Sequence, residues 1–463
     1  MSVEIMFSAP HARLLGYVTI LLGATATPLR AQTDSIDQWI GSYMDERQIP
    51  GLALAILERG NVVMAKGYGL ANVEHKVPVT PSTVFQSASV GKQFTAAAIL
   101  LLVQDGKLAL DDPISQYLPG APKQWRKITV RHLLTHTSGL PDYGEDSTWV
   151  NLQRDYSEAD LLQIISRHPL LREPGEEWIY SNPGYTLLGM IIRTVAGEHW
   201  GELLKKRVFE PLGMETARVI SEEDIVPNRA AGYRLLDGEL KNQEWVAPTL
   251  NTVAEGALYF TILDLAKWDS ALAGEDLLSK KSKEEMWSPV RLNDGSTASH
   301  GFGWFLLDEP GRRAMESDGA WQGFRSYIGR FSDASVTVIM LANSSEVDPI
   351  LVGHKVAALY RPELGPPART AIQLPAETLA EYVGEYKLPT GEVFLLNRTE
   401  NGVELTMGER KAELVPESKD IFFFPKAPDG RLIFVRDKTG GVRWIQPRRY
   451  PSWPARAQKV RPR

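Results

Sequence analysis

SASVGKQFTAAAILLLVQDGK, residues 87–107, is the stretch on which the reading of the whole chain turns. From Phe94 to Val103 it is apolar on almost every side of a helix, and such a helix belongs in an interior. Its first turn nevertheless carries Gly91 and Lys92, directly after Ser87 and Ser89. Lysine is among the residues least often buried unless it has a partner or a task. Ser89 and Lys92 are three residues apart and share one helical face. Two readings follow. Ser89 caps the helix while Lys92 snorkels to solvent. Or Lys92, desolvated and therefore more weakly basic, takes the proton of the Ser89 hydroxyl and makes it a nucleophile. In the second case the helix start offers free N–H groups where an oxyanion would form. The stretch alone leaves both open.

A second stretch, Tyr180-Ser181-Asn182, precedes a helix that Pro183 starts. A tyrosine phenol beside an ammonium is expected to ionise more readily and to relay protons. An asparagine amide can orient both a lysine and a substrate carbonyl. Taken alone, the triplet reads as a packed aromatic and a turn residue; its pairing with Ser89-Val90-Gly91-Lys92 is what counts.

The bulk composition narrows the classes. The chain has 463 residues, 43% hydrophobic and 23% charged, enough for one large domain and at least one more. The net charge of −6 is built from interspersed signs, so there is no positive field to hold nucleic acid or an anionic membrane. The absence of cysteine removes disulfides, thiolate nucleophiles and zinc fingers. Arg13 followed by the apolar run Leu14 to Leu22 and small residues near Ala24 and Ala31 reads as an export signal over residues 1–31, too short to span a bilayer. The expected location is periplasmic or secreted.

Along the chain, residues 51–58 and 61–68 read as a hairpin turning at Arg59-Gly60-Asn61. Helices are expected from Ser157 as N-cap, from Pro183 to Gly197, from Thr261 to Gly274 and around Leu351 to Tyr360. Strands return in SYIGRF and SVTVIMLAN. Strands near both ends with helices between them predict an α+β domain, one sheet assembled from both termini with an inserted helical region, over residues 32–360. Pro362, Pro366, Pro367 and Pro375 mark a linker, 361–375. Short β runs over 376–447, with turns at Asn401-Gly402, Asp429-Gly430 and Gly440-Gly441, predict a small antiparallel barrel or sandwich. The basic tail 448–463 reads as an unstructured end.

At this point the chain resembles the serine β-lactamase and penicillin-binding-protein superfamily, in its class C β-lactamase-related branch. The resemblance is carried by blocks in order: VPVTPSTVFQSASVGKQFTAAAILLLVQDGKLALDDPISQYLP, ITVRHLLTHTSGLPDY, PGEEWIYSNPGYTLLGMIIRTVAG, VFEPLGMETA and LYFTILDLAKW. The segment after the linker is similar to the lipocalin-like domain appended to many such proteins. The resemblance implies an antiparallel sheet with flanking helices and an acyl-serine mechanism. Ser89 would be the nucleophile, Lys92 its base, Tyr180 the proton relay and Asn182 a substrate-positioning group. The oxyanion hole would be the N–H groups of Ser89 and Ala320. It implies no metal and no cofactor, and a small ester, amide or peptide as the partner.

The third family motif departs. Lys-Thr-Gly or His-x-Gly is usual, and here Ser317-Asp318-Gly319 stands in its place, followed by Ala320 and Trp321. Gly319 still lets backbone approach substrate. The cationic or imidazole side chain is gone, and Asp318 is expected to repel a substrate carboxylate; Arg325 is a candidate to compensate. Trp321 reads equally as pocket wall or core. Ester or amide hydrolysis is therefore the expected activity, with D-amino-acid peptidase, D-Ala-D-Ala carboxypeptidase or β-lactamase activity as the alternative, and a non-catalytic binding protein as the rival from another class.

Other suggestive residues read as structural. His132 and His136 have metal-pair spacing but lack the glutamate of a zinc-protease motif, and His136 opens a helix-ending turn. Asp111-Asp112 reads as a loop or cap before Pro113. No Gly-x-Ser-x-Gly occurs, which removes the α/β-hydrolase elbow.

Overall fold

The computed structural model describes residues 26–143, 149–309, 311–388, 391–408, 410–425, 427–437, 439–448 and 457–460. The expected export signal falls almost wholly outside them. What is described of it, from Ala26 onward, begins the helix α1 (Ala26–Arg47), which the sequence reading did not anticipate.

The hairpin is β1 (Gly51–Glu58) and β2 (Asn61–Asn72), the second strand running four residues beyond its expected end, with Arg59 and Gly60 at positive φ in the turn. Among the described residues, a seven-stranded sheet combines these and β3 (Val77–Pro78) with β4 (Phe305–Glu309), β5 (Arg312–Trp321), β6 (Phe324–Phe331) and β7 (Val336–Ala342), in the order β4-β5-β6-β7-β1-β2-β3. The pairing of β7 with β1, Leu52 opposite Ala342 through Glu58 opposite Val336, joins the two ends of the domain.

β1 is buried on both faces, and its alternation separates two cores. Leu52, Leu54 and Ile56 pack with α1 and with α4 (Pro349–Tyr360, last of the four helices labelled here) on one side. Ala53, Ala55 and Leu57 face the inserted helical region on the other. In that region lie α2 (Lys92–Gln104) and α3 (Asn182–Ala196). α2 is buried from Lys92 through Leu102, which is why its sequence shows no polar face. The helix expected after Ser157 runs Glu158–Ser166 with that serine as N-cap, and α3 ends at Gly197 in the left-handed conformation. A further helix, Ile262–Ala273, is capped by Thr261.

After the Pro-rich connection, eight strands from Gly384 to Lys459 close into an antiparallel barrel around Tyr382, Tyr386, Phe394, Phe422 and Phe434, which fits a lipocalin-like domain. The expectation of an unstructured tail is corrected at Ala457–Lys459. These residues form the closing strand, pairing with Gly384–Lys387 on one side and Val442–Arg448 on the other. The reason is edge pairing: without that strand both neighbours would present unpaired N–H and C=O groups. A buried ion cluster ties the barrel to the sheet. Glu309, at the end of β4, accepts from Arg369 Nη2 at 3.1 Å and Arg431 Nη2 at 2.8 Å.

Among the described residues no helix is long and apolar enough to cross a membrane.

Candidate active site

Ser89 lies in a single 3-10 turn, Ala88–Gly91, that feeds directly into α2. Ala88 is held at φ 46°, a left-handed conformation that an alanine does not choose unaided. Packing enforces it: Ser87 Oγ donates to Gly256 O at 2.7 Å, and a Cβ on Gly91 would lie 2.8 Å from Gly256 Cα. The turn is thus pressed against the Glu255-Gly256 backbone, and Ser89 is left half-buried at the base of a cleft.

Lys92 does not snorkel; it is 2% exposed. Its ammonium donates to Ser89 Oγ at 2.9 Å, to Asn182 Oδ1 at 2.7 Å and to the Glu255 carbonyl at 2.6 Å. Burial pulls its pKa down to about 8, against the opposing pull of Glu255, Asp142 and Asp318. A lysine with that pKa keeps a usable neutral fraction near neutrality.

Tyr180 and Asn182 flank Ser181, whose hydroxyl caps α3, so both side chains approach Lys92 from the start of that helix. Tyr180 Oη donates to Ser89 Oγ at 2.9 Å. The expectation that a neighbouring ammonium would ease ionisation of this phenol is corrected. Burial dominates and pushes its pKa well above the usual value, so Tyr180 stays a phenol. His136 stacks on the Tyr180 ring at 4.4 Å between centroids and accepts the Ser181 N–H at Nδ1, 3.1 Å. It therefore positions the segment, and burial keeps its pKa well below the ordinary value. His132 caps a short helix by accepting the Thr129 N–H. Asp112 accepts from Ala109 N and Tyr117 Oη, and Asp111 pairs with Arg131, as loop residues do.

Two acids that no motif announces complete the polar floor. Asp142 accepts the backbone and side-chain N–H of Asn182, at 2.8 and 3.3 Å. Glu255 holds Tyr143 Oη through a short hydrogen bond and Thr186 Oγ1 at 3.0 Å. Burial raises the pKa of both. Neither lies within three residues of Ser89, Lys92, Tyr180 or Asn182 in sequence, so no local spacing could have singled them out.

The third motif lies on β5, which packs against the Ser89 turn. A Cβ on Gly319 would stand 2.7 Å from Ser89 N and 2.8 Å from Ser87 O, so only glycine permits this approach. Ser317 is buried and does not line the cleft. Asp318, Ala320, Trp321 and Arg325 do line it. Trp321 is cleft wall, anchored by Nε1 donating to Asn251 Oδ1 at 3.1 Å. Arg325 folds back, its Nη1 donating to the carbonyls of Trp321 and Phe324 at 3.0 and 2.9 Å. Burial, then Glu316 and Asp348, push the Asp318 carboxyl up to about 7. The cleft holds about 380 Å³, walled largely by apolar groups such as Val150, Leu152, Leu250 and Phe305.

A hydroxyl held between a buried amine and a half-buried phenol, with backbone N–H groups alongside, can carry out nucleophilic acyl transfer. Comparison with known proteins agrees. The sequence profile of the Beta-lactamase family matches residues 36–359. The chain is 32% identical over 405 residues to Penicillin-binding protein 4* of Bacillus subtilis strain 168, covering 82% of this chain and 88% of that protein. Among solved structures, the octameric penicillin-binding protein homologue from Pyrococcus abyssi superposes with a TM-score of 0.65 at 27% identity, over 92% of this chain and 100% of the other. The D-amino acid amidase from Ochrobactrum anthropi SV3, complexed with L-phenylalanine amide, gives a TM-score of 0.63 at 26% identity, over 73% and 99%.

Proposed function

The chain belongs to the Beta-lactamase family and is a serine hydrolase, and from that premise we propose that it forms an acyl-enzyme on Ser89 and hydrolyses an ester or amide. The observation that carries the reading is that Ser89 Oγ lies 2.9 Å from both Lys92 Nζ and Tyr180 Oη. In the proposed cycle neutral Lys92 takes the Ser89 proton as Oγ bonds to the substrate carbonyl carbon. The resulting oxyanion is held by the N–H groups of Ser89 and Ala320. Tyr180, kept protonated by burial, gives its proton to the leaving amine or alkoxide and is reprotonated from Lys92. Water then attacks the acyl-enzyme by the reverse route, releasing the acid and restoring Ser89. Asn182, fixed by Asp142, holds the lysine in register.

A second reading, hydrolysis of D-amino-acid amides or peptides, is favoured by the similarity to the D-amino acid amidase. β-Lactamase activity is the less favoured member of the same group, because Ser317 replaces the cationic or imidazole residue and no described side chain supplies that charge at its place. The leader-like run from Leu14 to Leu22 supports export to the periplasm or medium, which N-terminal sequencing of the mature protein tests.

The function is tested by intact mass after incubation with a fluorophosphonate. A single adduct that disappears in Ser89→Ala supports acyl-serine chemistry; an unlabelled wild-type protein favours a binding role instead.

A further inference from the structure

Two spaces meet at Ser89, and they differ in size. The cleft of about 380 Å³ is bordered by Tyr180, Tyr143 and Phe305. A recess of about 50 Å³ adjoins it, bordered by Ala88, Val253, Gly256 and Ala257. Ser89, Ala320 and Trp321 border both, whereas Tyr180 borders the cleft and not the recess.

That difference gives the pair a direction. Once Ser89 Oγ has bonded to the carbonyl carbon and the oxygen faces the N–H groups of Ser89 and Ala320, the two remaining substituents diverge. The leaving group is the one that must be within reach of the Tyr180 proton, so it lies in the cleft. Phe305 stands on that side, joined to Tyr180 through Trp178, whose ring centroid is 6.5 Å from one and 6.2 Å from the other. The acyl group is left with the recess.

The walls of the recess are fixed. The backbone of residues 254–256 is held by Thr95 Oγ1 donating to Ala254 O at 2.6 Å, Lys92 Nζ to Glu255 O at 2.6 Å and Ser87 Oγ to Gly256 O at 2.7 Å. The wall shared with the cleft is the Trp321 indole, whose Nε1 donates to Asn251 Oδ1 at 3.1 Å. Asn251 is 4% exposed and sits in the turn Leu250–Thr252, which Trp200 Nε1 holds by donating to Thr252 O at 2.9 Å. Such a space takes a methyl or ethyl group, and further methylenes would have to displace atoms that are already bonded in place.

Resting on the acyl-serine reading above and on Tyr180 as the donor to the leaving group, we infer that Trp321, anchored by Asn251, is a specificity-determining residue that limits the acyl group to an acetyl or a propionyl. The substrate class is then short-chain acyl esters and amides, acetyl esters above all, whose alcohol or amine is bulky and largely apolar and fills the wider cleft.

The test holds the leaving group constant and varies the acyl chain. kcat/KM is measured on p-nitrophenyl acetate, butyrate and hexanoate, with the rate of Ser89→Ala subtracted. The acetate is expected to exceed the hexanoate by at least about tenfold. Trp321→Ala joins the recess to the cleft, and its kcat/KM on the hexanoate is expected to rise at least about tenfold above that of the wild type, a gain that a misfolded variant cannot give. Asn251→Ala, which releases the indole, is expected to shift the profile the same way by a smaller factor, and it decides the matter if Trp321→Ala is unfolded by circular dichroism. A wild-type protein that cleaves the hexanoate as well as the acetate, a profile that neither variant moves, or a protein that a fluorophosphonate labels at Ser89 but that turns over none of the three esters overturns the inference. Absence of both labelling and turnover overturns the acyl-serine reading itself, a distinguishable result.

Discussion

Lys92 Nζ stands 2.9 Å from Ser89 Oγ, and the same ammonium also reaches Asn182 Oδ1 and the carbonyl of Glu255. Three donors meet three acceptors drawn from three separate segments of chain. The amine is therefore held in one place while burial weakens its hold on a proton, which is what a base beside a hydroxyl requires.

Replacement of the amine by an isosteric apolar chain isolates that role. Lys92→Met is expected to slow fluorophosphonate labelling of Ser89 by about 10³-fold. Circular dichroism should remain that of the folded protein, since Met fills the same volume. Labelling at the wild-type rate would remove Lys92 from the chemistry.

The pH profile follows from the same burial. A base must be neutral to act, and Lys92 titrates at about 8. kcat/KM on a neutral ester is expected to rise about tenfold per pH unit below that value and to level off above it. A profile already flat at pH 6 would argue against the lysine as base.

Glu255 raises the lysine's pKa by its charge. In Glu255→Gln that contribution is lost, so the rising limb of the profile is expected to move to lower pH, while the amide oxygen can still accept from Tyr143 and Thr186. A shift to higher pH, or none, would show that the carboxyl carries no charge in the working enzyme.

Gly319 faces backbone atoms of the Ser89 turn with no room for a methyl group. Gly319→Ala is expected to push β5 away from Ser89 N, abolishing most activity and costing about 2 kcal/mol in urea denaturation. Retention of full activity would mean that the Ala320 N–H does not serve the oxyanion.

Glu309 is 5% exposed and faces the guanidiniums of Arg369 and Arg431. Glu309→Ala removes one of the two carboxylates that Arg369 and Arg431 share, leaving them Glu417, and is expected to cost about 3 kcal/mol. Trypsin should then cut after Arg369, whose side chain is 2% exposed in the intact protein. Unchanged proteolysis would show that the barrel is held by other contacts.

Much of the molecule was legible along the chain because the interactions involved are local. The serine cap at Ser157, the glycine end of α3 and the hairpin at Arg59-Gly60 each depend on residues within one turn of helix or strand. Ser89 and Lys92 could be paired by their three-residue helical spacing, and the apolar run behind them required burial. The long strand carrying Ser317-Asp318-Gly319 and the closing strand Ala457–Lys459 were harder to see, because their pairing partners are set by the sheet and the barrel rather than by their own alternation.

By itself, then, the sequence determined which side chains could do chemistry and which helices present them. Only the tertiary structure decided their protonation. The carbonyl that anchors Lys92 is 163 residues away and the amide 90, and desolvation by such distant segments makes the lysine a weaker base. The same burial keeps Tyr180 a phenol and raises the pKa of Asp318, because the dielectric around a group is a property of everything packed against it and not of its neighbours in the chain.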